Sequence, residues 1–131
     1  MSITYVIPGQ PVAWKRAGRR KGGGFFDQQM NSKLGTGIFI NNQHVGEMYK
    51  GPLLLDITFY FKIATTLSKK QKDFLLGNYH HTKPDLDNCI KYILDTCNTL
   101  LFDDDCTISK ITACKLYDTD PRTEFTLTEL K

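Results

Sequence analysis

Residues 83–105 read KPDLDNCIKYILDTCNTLLFDDD, Lys83 to Asp105, and the hydrophobic period changes partway along them. Lys83 precedes a proline and is pushed to extended dihedrals, and Pro84 has its φ fixed, so an extended segment enters Asp85. In extended backbone, positions i and i+2 point to the same side, which aims Asp85 and Asp87 together. From Asp87 onward the period becomes 3.6. Ile90, Ile93, Leu94 and Cys97 fall at i, i+3, i+4 and i+7 and form the apolar face of an amphipathic helix. Asp87, Lys91 and Asp95 fall at i, i+4 and i+8 on its flank, so Lys91 stands one turn from Asp87.

The stretch closes on the triplet Asp103, Asp104 and Asp105. Unit charges about 4 Å apart repel by roughly 1 kcal/mol in water and by several times that in a partly buried site. Crowded carboxylates therefore take up protons or hold a cation. Hard oxygen ligands without a thiolate pair favour Mg²⁺ or Mn²⁺ over zinc, and Lys91 then lies where a phosphate would sit. The pattern points to divalent-metal phosphoryl-transfer chemistry. The plain alternative makes Asp85 or Asp87 a helix cap, Asp87 with Lys91 a surface pair, and the triplet a solvated turn.

Outward from this stretch, Leu53 to Ile63 (LLLDITFYFKI) is dense in β-branched and aromatic residues and is expected as a central strand. Ser68 reads as the N-cap of a short helix, Lys69 to Leu76, stopped by Gly77. Ser2 to Ile7 alternates as a first strand ending at Pro8-Gly9. Thr107 to Tyr117 and Glu124 to Leu130 read as two more. Between the first strand and the central one, KRAGRRK at Lys15 to Lys21 and the following Gly22-Gly23-Gly24 suggest a flexible basic loop. The loop is expected to continue to Glu47, either holding a hairpin or ordering on DNA, with Ile38 to Ile40 as a short strand. Phe25 and Phe26 either cover the core or stack on unpaired bases, and core cover is the expectation. These elements predict an α/β chain of the α+β type: one compact domain, a mixed β-sheet, and one or two main helices on one face.

At 131 residues the chain has the length of one domain. Its net charge of +3 says little by itself about a nucleic-acid partner, and the local basic run says more. No apolar run has signal-peptide or membrane-spanning length, so a cytoplasmic protein with no membrane partner is expected. Cys89 and Cys97, eight residues apart on one predicted helix, are separated by about 12 Å, too far to bridge. No Cys-x-x-Cys starts a zinc site, and Cys89, Cys97, Cys106 and Cys114 are expected as reduced thiols. One of His80 and His81 is expected near a phosphate or hydrogen-bonded to its own loop.

Lys83-Pro84-Asp85-Leu86-Asp87-Asn88, then Lys91 and Asp95, then Phe102 with Asp104-Asp105 ahead of Ile108, resemble the signature of the RusA family of Holliday-junction-resolving endonucleases. The likeness extends to Ile7–Val12 upstream and to Lys115 downstream. It implies a small homodimeric enzyme that cuts four-way junction DNA by paired symmetrical nicks with Mg²⁺, or Mn²⁺ as substitute, leaving 5′-phosphate and 3′-hydroxyl ends. Carried over by position, Asp85, Asp87 and Asp105 would bind metal and Lys91 would be the catalytic lysine, with Asp104 an alternative to Asp105 because three aspartates stand in a row. Asp95 would orient Lys91. Lys15, Arg16, Arg19, Arg20, Lys21, Lys83 and Lys115 are the candidate DNA contacts. Thr107 replaces the family's usual Gln, and Thr99 replaces a common Gly. The rivals are a non-catalytic nucleic-acid-binding or regulatory protein on the same fold, and a nuclease preferring flaps or forks.

Overall fold

A computed structural model describes residues 3–131. Ten residues from Leu53 to Lys62 form β4, whose buried side chains Leu53, Leu55, Ile57, Phe59 and Phe61 alternate with outward ones. The alternation puts one apolar face toward the helices. β4 pairs in parallel with β5 (Ile108–Asp118) and antiparallel with β6 (Arg122–Glu129). β6 pairs in turn with β1 (Tyr5–Pro8), so the mixed sheet runs β1-β6-β4-β5 and β4 is internal, as expected from its composition. The Ser2 end of the expected first strand lies outside the described residues. A small hairpin, β2 (Gly18–Arg19) against β3 (Phe25–Phe26), stands apart from the sheet.

Three helices accompany the sheet. α2 (Lys69–Leu75) starts at a complete capping box: the Gln71 backbone N–H donates to the Ser68 hydroxyl, and the Ser68 backbone N–H donates to the Gln71 side chain. α3 (Leu86–Cys97) begins one residue earlier than predicted. Its buried face is Cys89, Tyr92, Ile93, Thr96 and Cys97, with Ile90 and Leu94 only half-buried, so the core face is rotated from the predicted one. Tyr92 and Thr96 account for the rotation. The Thr96 hydroxyl donates to the Tyr92 carbonyl, and the Tyr92 hydroxyl meets those of Ser32 and Thr36, so both polar groups are satisfied inside.

The largest departure is α1, Met30–Gln43, in the segment expected as loop, hairpin or short strand. Its sequence carries Gly35, Gly37 and β-branched residues, has almost no apolar periodicity, and lacks a side-chain N-cap. Tertiary contacts make it a helix. Ile40 is fully buried. Gly37 packs so closely on α3's exit that an added Cβ would lie 3.2 Å from Leu100 Cδ1. The Gln43 amide bonds both the N–H and the carbonyl of Val6, taking the place of a strand neighbour along β1.

Candidate active site

The approach to the acidic motif is pinned to β5. The Lys115 ammonium donates to the carbonyls of Thr82 and Pro84, each at 2.7 Å. His80 is nearly buried, stacked on Phe61 with ring centroids 4.0 Å apart and tilted against Tyr117. Its Nε2 pairs with the Thr82 hydroxyl and its backbone N–H with the Lys115 carbonyl, while its Nδ1 has no partner. Burial chiefly, then the charges of Lys115 and His81, hold this imidazole below the ordinary histidine range. His80 thus bonds its own loop. Lys115, a candidate DNA contact, spends its charge on the same loop.

The helix boundary changes the relation of the first two aspartates. Asp85 is the N-cap of α3 with extended dihedrals, and Asp87 already lies in the first helical turn, so they are not successive positions of one extended segment. The Asp85 carboxylate makes no capping bond and pairs with the exposed Lys83 ammonium at 3.3 Å. Asp87 Oδ1 accepts from the Asn88 N–H. Both carboxylates act on the buried Cys89 thiol, but burial is the main reason that thiol is pushed up to about 11, and Lys115 opposes them. They lie together at the positive end of the α3 dipole, where negative charge is favoured.

Lys91 projects one turn further on, its Nζ 4.7 Å from the centroid of Trp14, whose backbone N–H donates to the Asn88 carbonyl. Asp95 does not orient Lys91. Its carboxylate lies 3.7 Å from Lys33, which also pairs with Asp27 at 3.0 Å. That partner was invisible while α1 was expected as a loop.

The acidic triplet leads into a short 3-10 turn, Asp105–Thr107, packed against α3. Asp104 is its N-cap and accepts from the Cys106 backbone N–H at 3.4 Å. Hydrogen bonding from Cys106 holds the Asp104 carboxyl below the usual range. Asp105 is half-buried and makes no ion pair among the described residues. Among those residues no group of three or more His, Cys, Asp or Glu side chains forms a ready-made metal site. The donor chemistry still suits a hard cation, because Mg²⁺ is commonly held by one or two carboxylates and completed by water and substrate phosphate. The four cysteines are free, Cys89 and Cys97 within the core.

The basic run carries the hairpin. Lys15, Arg16, Arg19, Arg20 and Lys21 are all exposed, and none pairs with a carboxylate among the described residues. Phe25 and Phe26 do not cover the core. They are 71% and 40% exposed, with the Arg20 guanidinium 5.7 Å above the Phe26 ring. Reading the sequence missed the Lys115 strap and the Trp14 contact with Lys91. A lysine facing two carbonyls leaves no sequence signal, whereas a lone tryptophan beside a basic run did offer one.

"Uncharacterized protein YqaN" of Bacillus subtilis (strain 168) is 28% identical over 137 residues, covering 98% of this chain and 96% of that one. The family described as Endodeoxyribonuclease RusA matches residues 8–128, nearly the whole chain, and the acidic motif, the basic hairpin and the sheet strands β4, β5 and β6 lie largely or wholly within that match. The chain belongs to the RusA endodeoxyribonuclease family.

Proposed function

We propose that the protein is a Mg²⁺-dependent endodeoxyribonuclease, with Mn²⁺ as substitute, that resolves four-way DNA junctions by paired nicks. The observation that carries this reading is the pair Asp85 and Asp87 at the start of α3, with Lys91 one turn on, in a chain of this family. Asp85 and Asp87 would hold the cation. Asp105 is the better third ligand, because Asp104 is spent on capping its turn. Bound there, the cation would supply a nucleophilic water and charge stabilisation of the leaving oxygen. The Lys91 ammonium, held against Trp14, neutralises charge growing on the phosphate oxygens. Lys115 keeps the Asp85 loop in place.

Symmetrical nicking needs two sites, which a C₂ dimer provides. We place the dimer contact on α1. Met30, Leu34 and Ile38, spaced at i, i+4 and i+8, are 58%, 61% and 62% exposed. The helix's single charge, Lys33, is turned to Asp27 and Asp95. An uncharged apolar stripe meets its own copy without repulsion and has nothing to offer a phosphate backbone.

The rival reading is a non-catalytic junction-binding protein on the same fold. Cleavage of a labelled synthetic four-way junction, beside a linear duplex and a flap, in Mg²⁺, Mn²⁺ or EDTA separates the readings. Paired nicks on the junction alone, abolished by EDTA, are expected. Asp85→Asn should lower the cleavage rate by at least a hundredfold, about 3 kcal/mol in the barrier, while junction binding is kept. Binding without cleavage in either metal establishes the rival, and nicking of flaps in preference to junctions establishes a different nuclease.

A further inference from the structure

The basic segment is more structured than a charged loop needs to be. At its tip the Arg20 N–H donates to the Gly24 carbonyl and the Gly23 N–H to the Arg20 carbonyl. Gly22, Gly23 and Gly24 all take positive φ (94°, 111° and 83°), so this turn needs glycine. Its base is tied down as well. The buried Gln29 side chain accepts from the Lys15 N–H and donates to the Ala13 carbonyl. The fold holds the Phe25–Phe26 pair out in solvent on a braced support, an unusual placement for two large apolar rings.

The rings have open space on both sides. With Trp14 they line a cleft of about 280 Å³, and toward the start of α1 they line a second of about 460 Å³. Trp14 belongs both to the first cleft and to the candidate active site, through Lys91 on its ring and Asn88 on its N–H. Lys15 lines the first cleft and Arg20 the second, and these two, with Arg16 and Lys21 of the same run, are exposed and without carboxylate partners among the described residues, while Asp27, which lines both clefts, is already paired with Lys33. Cations without partners beside bare aromatic faces match a single-stranded nucleic acid, which brings phosphates for the first and flat bases for the second. Arg20 above Phe26 extends the stacking surface, since a guanidinium plane also stacks on bases. An uncharged apolar protein segment would leave the cations unanswered.

We infer that the Trp14–Phe25–Phe26 cleft binds an unstacked nucleobase of the DNA strand whose phosphates lie along Lys15 to Lys21. The inference rests on the DNA-substrate reading above and deepens it by naming the element that recognises an unpaired base. At a junction such bases become available where the four arms meet. The cleft lies beside Lys91, so a base held there fixes the position of the neighbouring phosphate relative to Asp85 and Asp87.

Trp14 is the only tryptophan in the chain, and this makes the test direct. Its fluorescence is followed in EDTA while an oligothymidylate, or an abasic strand of equal length and charge, is titrated in at fixed salt. Quenching by the base-bearing strand is expected, with the abasic strand binding about tenfold or more weakly. Phe25→Leu with Phe26→Leu keeps apolar bulk but removes the π faces, and should abolish most of that preference. Both rings are exposed, so the thermal midpoint should stay unchanged. Gly18→Ala offers an independent variant: its Cβ would lie 2.5 Å from Phe26 Cζ and must swing the ring aside, which should weaken base-dependent quenching. Equal binding of abasic and thymidine strands overturns the inference, as does an unaltered preference in the double leucine variant. Cleavage plays no part in the assay. A protein that prefers bases yet never cuts a junction sinks the nuclease reading alone, and one that cuts junctions while binding both strands alike sinks this inference alone.

Discussion

His80 stacks on Phe61 inside the loop that leads to Asp85, with Nδ1 unpartnered, so a proton on this ring would bring charge into a site with no acceptor for it. Because burial lowers its pKa, the unfolded chain takes up a proton near pH 6.5 that the folded chain refuses. The stability this contributes is full above about pH 6.5 and is lost as the pH falls from there toward the lower folded value. Urea denaturation at pH 7.5, 6.0 and 5.0 should show falling stability, and His80→Phe, which keeps the ring on Phe61, should flatten the trend. Identical slopes for the two proteins would refute this account. Thr99 is a second residue under local tension. It stands where the family commonly has glycine, and it is the only non-glycine residue with positive φ, 67°, among those described. The left-handed conformation costs an L-residue about 1–2 kcal/mol, part of which glycine's greater chain entropy would offset. Thr99→Gly should therefore raise unfolding free energy by about 1 kcal/mol, as read from the denaturant midpoint, with the backbone bond from residue 99 to the Phe102 carbonyl retained.

At the scale of elements, the candidate site depends on two connections that no local pattern announces. Lys115 couples β5 to the loop at Thr82 and Pro84, and hydrogen bonds from a charged donor contribute about 1.5–3 kcal/mol each in favourable settings. Its half-exposure reduces that figure. Lys115→Met should cost about 2 kcal/mol of stability and slow junction cleavage, with the loss falling mainly on the rate rather than on junction affinity, because the lost bonds hold Asp85 and touch no phosphate. An affinity loss with an unchanged single-turnover rate would instead make Lys115 a DNA contact. The second connection joins α1 to α3 through the Tyr92 hydroxyl, the Lys33–Asp95 pair and the close approach of Gly37 to Leu100. It puts the exposed stripe of α1 and the carboxylates of α3 on one rigid pair of helices.

At the scale of the molecule, three surface features stand apart: the basic run Lys15 to Lys21 on and beside the hairpin, the acidic residues at the start of α3 and in the turn that follows it, and an uncharged apolar stripe on α1. Leu34→Lys with Ile38→Lys places like charges across any contact of α1 with its own copy. On the proposed dimer, the double variant should sediment as a monomer and the parent at twice that mass, with the thermal midpoint unchanged because both side chains are more than half exposed. Junction nicking should then lose its symmetry, with single nicks outnumbering paired ones. An unchanged mass in sedimentation equilibrium would place the dimer contact elsewhere.

Near-neighbour signals carried much of the architecture. The alternation and β-branching of Leu53 to Lys62 marked the central strand, the Ser68–Gln71 capping box marked α2, and the 3.6 period after Asp87 marked α3. The acidic motif was legible for the same reason, since its members lie within a few residues of one another. What tertiary structure alone decided depends on partners far along the chain. α1 is helical because Ser32 and Thr36 meet Tyr92, 60 and 56 residues away, and because Gly37 fits against Leu100. With α1 in place, Lys33 claims Asp95. The anchored Gln29 leaves Phe25 and Phe26 outside the core, and the 3-10 turn takes Asp104 as its cap while Asp105 makes no ion pair among the described residues. Period and capping are written within about one helical turn, whereas contacts that stabilise a poor helix or draw a carboxylate away exist only after distant segments pack.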